Sequence, residues 1–152
     1  MTLFKEMIYQ AQSSHEVLVD NAYKGYRYMI ISYGQYPCAY VALESWHPCY
    51  KKQYDHFNID CHGGLSYSEH GLRAPKKNGR VRKVISNDFW VIGWDYNHVH
   101  DYNGAYESEQ SKKMLGNFLL MGKKWTTQEI IEEVKEVIEQ LDFIYDGTKV
   151  YA

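Results

Sequence analysis

Residues 126–141 constrain the fold more than any other stretch. Thr126 and Glu129 have the spacing of a capping box, in which each side chain satisfies a free backbone N–H at a helix start. Ile130, Ile131, Val134, Val137, Ile138 and Leu141 then recur at helical spacing and form one apolar stripe. Glu132, Glu133, Lys135, Glu136 and Glu139 take the other side, facing water, and Gly147 reads as a turn beyond the helix. Such a helix must lay its stripe on another layer, and its role is packing rather than chemistry.

The upstream sequence supplies that layer as strands. Residues 25–33 are rich in aromatic and β-branched side chains, residues 34–37 carry turn chemistry, and residues 38–43 make a second strand, so the three read as an antiparallel hairpin. Residues 16–20 form a short strand before it. Residues 89–94 are apolar on both faces, as expected of a central strand. Residues 44–61 look irregular. Leu3, Phe4, Met7, Ile8 and Ala11 suggest a short helix over residues 2–13. The expected fold is therefore a single α+β domain over residues 1–152, mainly antiparallel sheet, with the C-terminal helix packed on one face and a short helix at the N-terminus.

A net charge of -2 excludes a protein that coats nucleic-acid duplexes, which needs a basic excess. No apolar run reaches the ~20 residues of a membrane-spanning helix, and residues 1–6 lack the apolar core of a secretory signal, so the reading is a cytoplasmic protein. Three cysteines, Cys38, Cys49 and Cys61, are an odd set without metal-ligand spacing and read as small buried hydrophobes; Cys61, beside His62, is the one to test as a nucleophile. The 15 tyrosines suit half-exposed sheet faces, pockets for flat ligands, or pairing with a second copy of the chain.

Two polar stretches could carry chemistry. In residues 60–68, His62 precedes Gly63 and Gly64, whose backbone can approach a ligand closely or form an anion-binding nest, and Ser66 adds a hydroxyl. The plainer reading is a tight turn with a hydrogen-bonded histidine. In residues 93–101, Asp95, His98 and Asp101 follow a strand at spacing i, i+3, i+6 and would converge on a helical turn or tight loop. Asp and His together can hold a divalent cation or run acid–base chemistry; alternatively Asp95 caps a turn and His98 bonds a carbonyl. There is no His-Glu-x-x-His, Cys-x-x-Cys or P-loop. Arg73, Lys76, Lys77, Arg80, Arg82 and Lys83 mark a loop or hairpin tip able to contact phosphates.

Cys-Ala-Tyr-Val at 38–41, Trp-His-Pro at 46–48, His-Gly-Gly-Leu-Ser-Tyr-Ser at 62–68 and Trp-Val-Ile-Gly-Trp-Asp-Tyr-Asn-His-Val-His-Asp at 90–101 occur in one order. This resembles a group of small bacteriophage and prophage proteins of unassigned activity, with the match running from about residue 26 to residue 143. Their pattern has threonine where Ser66 stands and phenylalanine where Trp94 stands; neither change removes a polar function. The resemblance implies a phage source and a candidate site; small phage proteins often counter host defence, so the leading expectation is an accessory protein that binds a nucleotide-type small molecule and counters bacterial immune signalling by sequestering it. His62, Gly63, Gly64, Ser66, Asp95, His98 and Asp101 would line the pocket, Tyr67 or Trp94 would stack on a base, and residues 73–83 would close over the phosphates. One alternative is a hydrolase, metal-dependent or not, with His62 or His98 as general base and Asp95 or Asp101 orienting it. Another is a protein-binding inhibitor of a host defence factor.

Overall fold

Alternation decides the architecture. Tyr28 and Ile30 point to one side of their strand and Met29 and Ile31 to the other, and all four are buried, so this strand lies inside a sheet covered on both faces. The computed structural model describes residues 16–34, 36–75, 80–98, 101 and 123–151. Five strands form one antiparallel sheet: β1 (Glu16–Tyr23), β2 (Tyr26–Ser32), β3 (Pro37–Leu43), β4 (Tyr67–Pro75) and β5 (Val81–Asp95), in the spatial order β1-β2-β3-β5-β4. Among the described residues one helix, α1 (Thr127–Tyr151), packs on one face. This is the α+β fold read from the sequence. The N-terminal helix expected over residues 2–13 lies outside the described residues.

The hairpin of β2 and β3 pairs as expected, Tyr28 opposite Val41 and Ser32 opposite Pro37. Residues 89–94 belong to a longer strand, paired with β3 on one side and β4 on the other. The described part of the basic stretch is mostly ladder rather than loop: Arg73 lies opposite Lys83 and Ala74 opposite Arg82. Residues 44–61 are turns with one short 3-10 turn at Tyr54–His56.

The core between sheet and helix holds Ile30, Val41, Leu43, Trp90, Ile92 and Trp94 against Ile130, Val134, Val137, Ile138 and Leu141, the helix residues all fully buried. Burying each such side chain is worth about 1.5–3 kcal/mol. The capping box forms: Thr126 Oγ1 accepts from the Glu129 N–H, and Glu129 Oε1 accepts from the Thr126 N–H, both at 3.1 Å. Two expectations for the helix fail. Gly147 is within it rather than in a turn beyond, and Glu133 is half-buried rather than water-facing. No helix among the described residues is long and apolar enough to cross a membrane.

Register on β5 sets the stage for the site. Gly93 faces away from α1, opposite Tyr40, and a side chain there would sit 2.5 Å from the Tyr40 ring. Trp94 is therefore on the helix side, and the chain leaves β5 at Asp95 close to the start of α1.

Candidate functional site

Asp101 is the hub. Just beyond β5, its N–H donates to the His98 carbonyl at 2.8 Å while its Oδ2 accepts from the His98 N–H at 3.1 Å. A short bridge to Lys123 places it beside the entry to α1, so the Trp125 indole N–H donates to Asp101 Oδ1 at 2.9 Å. His62, from the loop before β4, lies 2.7 Å from Oδ2 through its Nε2, and His98 lies 3.0 Å from the same oxygen through its Nδ1. One carboxylate thus gathers two imidazoles and an indole from three separate segments. Its side chain is only 3% exposed.

Burial alone would push the Asp101 carboxyl up. Hydrogen bonds from His62, Trp125 and His98, together with the charge of His62, outweigh burial and hold it below its ordinary value. An ionised carboxylate only accepts, so the ring nitrogens that face it carry the protons: Nε2 of His62 and Nδ1 of His98. The neutral form of His98 then presents a bare Nε2.

That nitrogen is held in place from two sides. Gly63 has φ +70°, and a Cβ there would stand 2.2 Å from both Cε1 and Nε2 of His98, so the glycine backbone forms the wall against which the ring rests. Across from it, Asp95 Oδ1 lies 3.7 Å from His98 Nε2. Asp95 is itself fixed, accepting from Ser66 Oγ and from the Asn97 N–H at 3.1 Å each. The His-Gly-Gly-x-Ser and Asp-x-x-His-x-x-Asp stretches therefore meet, side chain to side chain. His62 and His98 stay partly open to solvent, with 24% and 39% of their side chains exposed.

Beneath this surface is a second carboxylate hub. Glu133 Oε1 accepts from the Tyr96 hydroxyl and, at 3.1 Å, from the Trp94 indole; its Oε2 accepts from the His62 N–H at 3.1 Å. The Tyr96 ring lies flat against His62, 7° from parallel with centroids 4.9 Å apart. Burial, then the bond to Glu133, raises the Tyr96 hydroxyl pKa, so the phenol stays protonated. The helix thus carries the floor of the site as well as the core. Tyr96, Trp125 and Glu133 were not legible as site residues: Glu133 fits the solvent side of the helical repeat, and Trp125 precedes the helix without any motif.

Several expected residues sit elsewhere. Trp94 is 1% exposed and supports the floor instead of offering a stacking face. Tyr67 lies on the opposite face of the sheet, its ring edge-on to Tyr40 at 5.3 Å. There it lines a cleft of about 250 Å³ with Tyr33, Tyr40, Arg73 and Lys83. Arg73 is six residues along β4 from Tyr67, ~20 Å at the rise of a strand, so the described basic residues of this stretch do not close over His62. Cys61 is no ready nucleophile: burial first, then Glu133 and Asp60, push its thiol up to about 12.

His62, His98 and Asp101 each offer a ligand atom within 4.8 Å of the others and could hold a cation. Compared with protein-family models, with curated proteins and with solved structures, the chain matches none.

Proposed function

We propose that this chain is a hydrolase acting on a nucleotide-type small molecule, with His98 as general base. The supporting observation is the buried Asp101 carboxylate holding His98 through Nδ1–H, which leaves Nε2 as the basic atom beside Gly63 and Asp95. A ring oriented in this way needs no reorientation when it takes a proton. Water attacks the scissile centre as it gives a proton to Nε2, the bond to the leaving group breaks, and the imidazolium, lying between the Asp101 and Asp95 carboxylates, returns that proton to the departing oxygen. His62, held by the same Asp101, flanks the reacting group at a ring distance of 5.0 Å. On the loop side the Gly64 N–H donates to the Cys61 carbonyl at 2.9 Å and the Ser66 hydroxyl to Asp95, so these groups fix the loop and Asp95 beside the base. The substrate class rests on the resemblance to small phage proteins, and in that setting the target is a bacterial immune signal.

The test is turnover. A panel of mono-, di- and cyclic nucleotides is incubated with the protein, the protein is denatured, and the nucleotides are separated. The expected result is a cleaved product that His98→Ala reduces by ~10²-fold or more. Intact ligand recovered in stoichiometric amount would replace hydrolysis with sequestration, and no binding at all would remove the substrate class.

A further inference from the structure

We propose that His62, His98 and Asp101 form a binding site for a divalent transition cation of the zinc class. The inference concerns the same residues as the hydrolase reading but holds whether or not the chain turns anything over.

Asp101 Oδ2 is 2.7 Å from His62 Nε2 and 3.0 Å from His98 Nδ1. Ligand atoms about 2.1 Å from one ion lie roughly 3.0–3.4 Å apart when adjacent in octahedral or tetrahedral geometry. All three ligand atoms lie within 4.8 Å of one another, so an ion seated where two hydrogen bonds now run would move Asp101 by a few tenths of an ångström and draw the two imidazoles toward each other by up to about 1.5 Å. Two imidazoles and one carboxylate suit zinc and its neighbours, whereas calcium and magnesium need oxygen. Three protein ligands with partly exposed imidazoles also leave a coordination position open to water, as catalytic sites require.

With no ion bound, the bare Nε2 of His98 faces the Asp95 carboxylate at 3.7 Å, an acceptor opposite an acceptor. When a cation takes Nδ1, the ring keeps its proton by moving it to Nε2, which then donates to Asp95. His62 likewise moves its proton from Nε2 to Nδ1. Both rings stay neutral, and no oxidant or reductant is involved. Asp95, already fixed by Ser66 and the Asn97 N–H, becomes the outer carboxylate that metal-bound histidines commonly bond. It also brings the summed charge of ion, Asp101 and Asp95 to zero. A cation held by His62, His98 and Asp101 would supply Lewis-acid activation of water, with His98 as its ligand; without it, His98 remains the base.

The full chain, stripped with chelator and desalted, is titrated with Zn²⁺ by calorimetry, and its thermal midpoint is followed in parallel. The expected result is one equivalent bound and a raised midpoint. His98→Ala should abolish the site, and Asp95→Asn should weaken it by ~10–100-fold. His56→Ala, at an exposed histidine away from the triad, should leave binding unchanged. Zinc bound equally by the chain and by His98→Ala, or not bound at all, overturns the proposal. Circular dichroism confirms that His98→Ala is folded; should it not be, His62→Gln is read instead, with the same expectation. The two readings fail separately. Nucleotide cleavage that persists in chelator without zinc binding leaves the hydrolase and removes the cation; zinc binding without cleavage does the reverse.

Discussion

The two faces of the sheet spend the same aromatic-rich composition in different ways. On the helix side, Trp94, Tyr96 and Trp125 point their polar tips at carboxylates, Glu133 or Asp101, and so keep charge at the end of the sheet. On the other side, Tyr33 and Tyr40 bond each other, hydroxyl to hydroxyl at 2.9 Å, and Tyr67 packs edge-on against Tyr40. Burial pushes the Tyr33 hydroxyl up to about 12 and raises that of Tyr40 as well, so this pair stays neutral. One face uses aromatic donors to stabilise anions; the other satisfies its phenols internally. A buried carboxylate costs far more to leave unpaired than a phenol, so the helix-side face is where a single substitution should do most damage.

The largest effect is expected at Asp101. Asp101→Ala leaves two imidazoles and an indole without their acceptor and should lower stability by about 3 kcal/mol in urea denaturation. The sign of its pH dependence follows from the lowered pKa. The folded-state value is below the unfolded one, so the contribution is present above about pH 4 and is lost as pH falls through the folded value. The stability gap between the parent chain and Asp101→Asn should therefore narrow on acidification below pH 4. A gap that widens there would show that the carboxylate is not stabilised by its partners.

Gly63→Ala comes next. The added methyl group meets the His98 ring at 2.2 Å on a backbone at φ +70°, so either the loop shifts or the ring leaves Asp101. A loss of about 2 kcal/mol is expected, with cleavage falling as far as in His98→Ala. Unchanged cleavage would show that the glycine does not position the base. On the opposite face, Tyr40→Phe removes one hydroxyl of a neutral pair and should cost about 1 kcal/mol while leaving zinc binding intact. A larger loss than at Asp101 would reverse the contrast between the faces. Smallest of all, Cys61→Ala should leave cleavage unchanged, because a thiol pushed up to about 12 is essentially un-ionised at neutral pH.

Much of this was readable in the chain. Aromatic and β-branched composition gave β2 and β3, an apolar run gave the end of β5, the capping box gave the start of α1, and a glycine pair beside a histidine, with Asp-x-x-His-x-x-Asp after a strand, marked the two loops that meet; β4 was not legible as a strand. What escaped was direction. Tyr67 is one residue past Ser66, and that single step turns it to the far face, because side chains alternate along a strand. Glu133 sits on the polar side of the helical repeat, yet the edge of that side abuts the end of β5, and only the packing of helix on sheet reveals it. Trp125 reaches Asp101 through a bridge to Lys123 that no local pattern encodes. Propensity and periodicity describe elements; where two element ends meet depends on tertiary geometry.

The account stands on Asp101 clamping both imidazoles at once, and long-range ¹H–¹⁵N correlation of the histidine rings in metal-free protein tests it most directly. At a pH where the rings are neutral, His62 should carry its proton on Nε2 and His98 on Nδ1, opposite tautomers in one chain, and Asp101→Asn should disturb both. Two rings with the same averaged, solvent-like tautomer pattern, indifferent to that substitution, would contradict it.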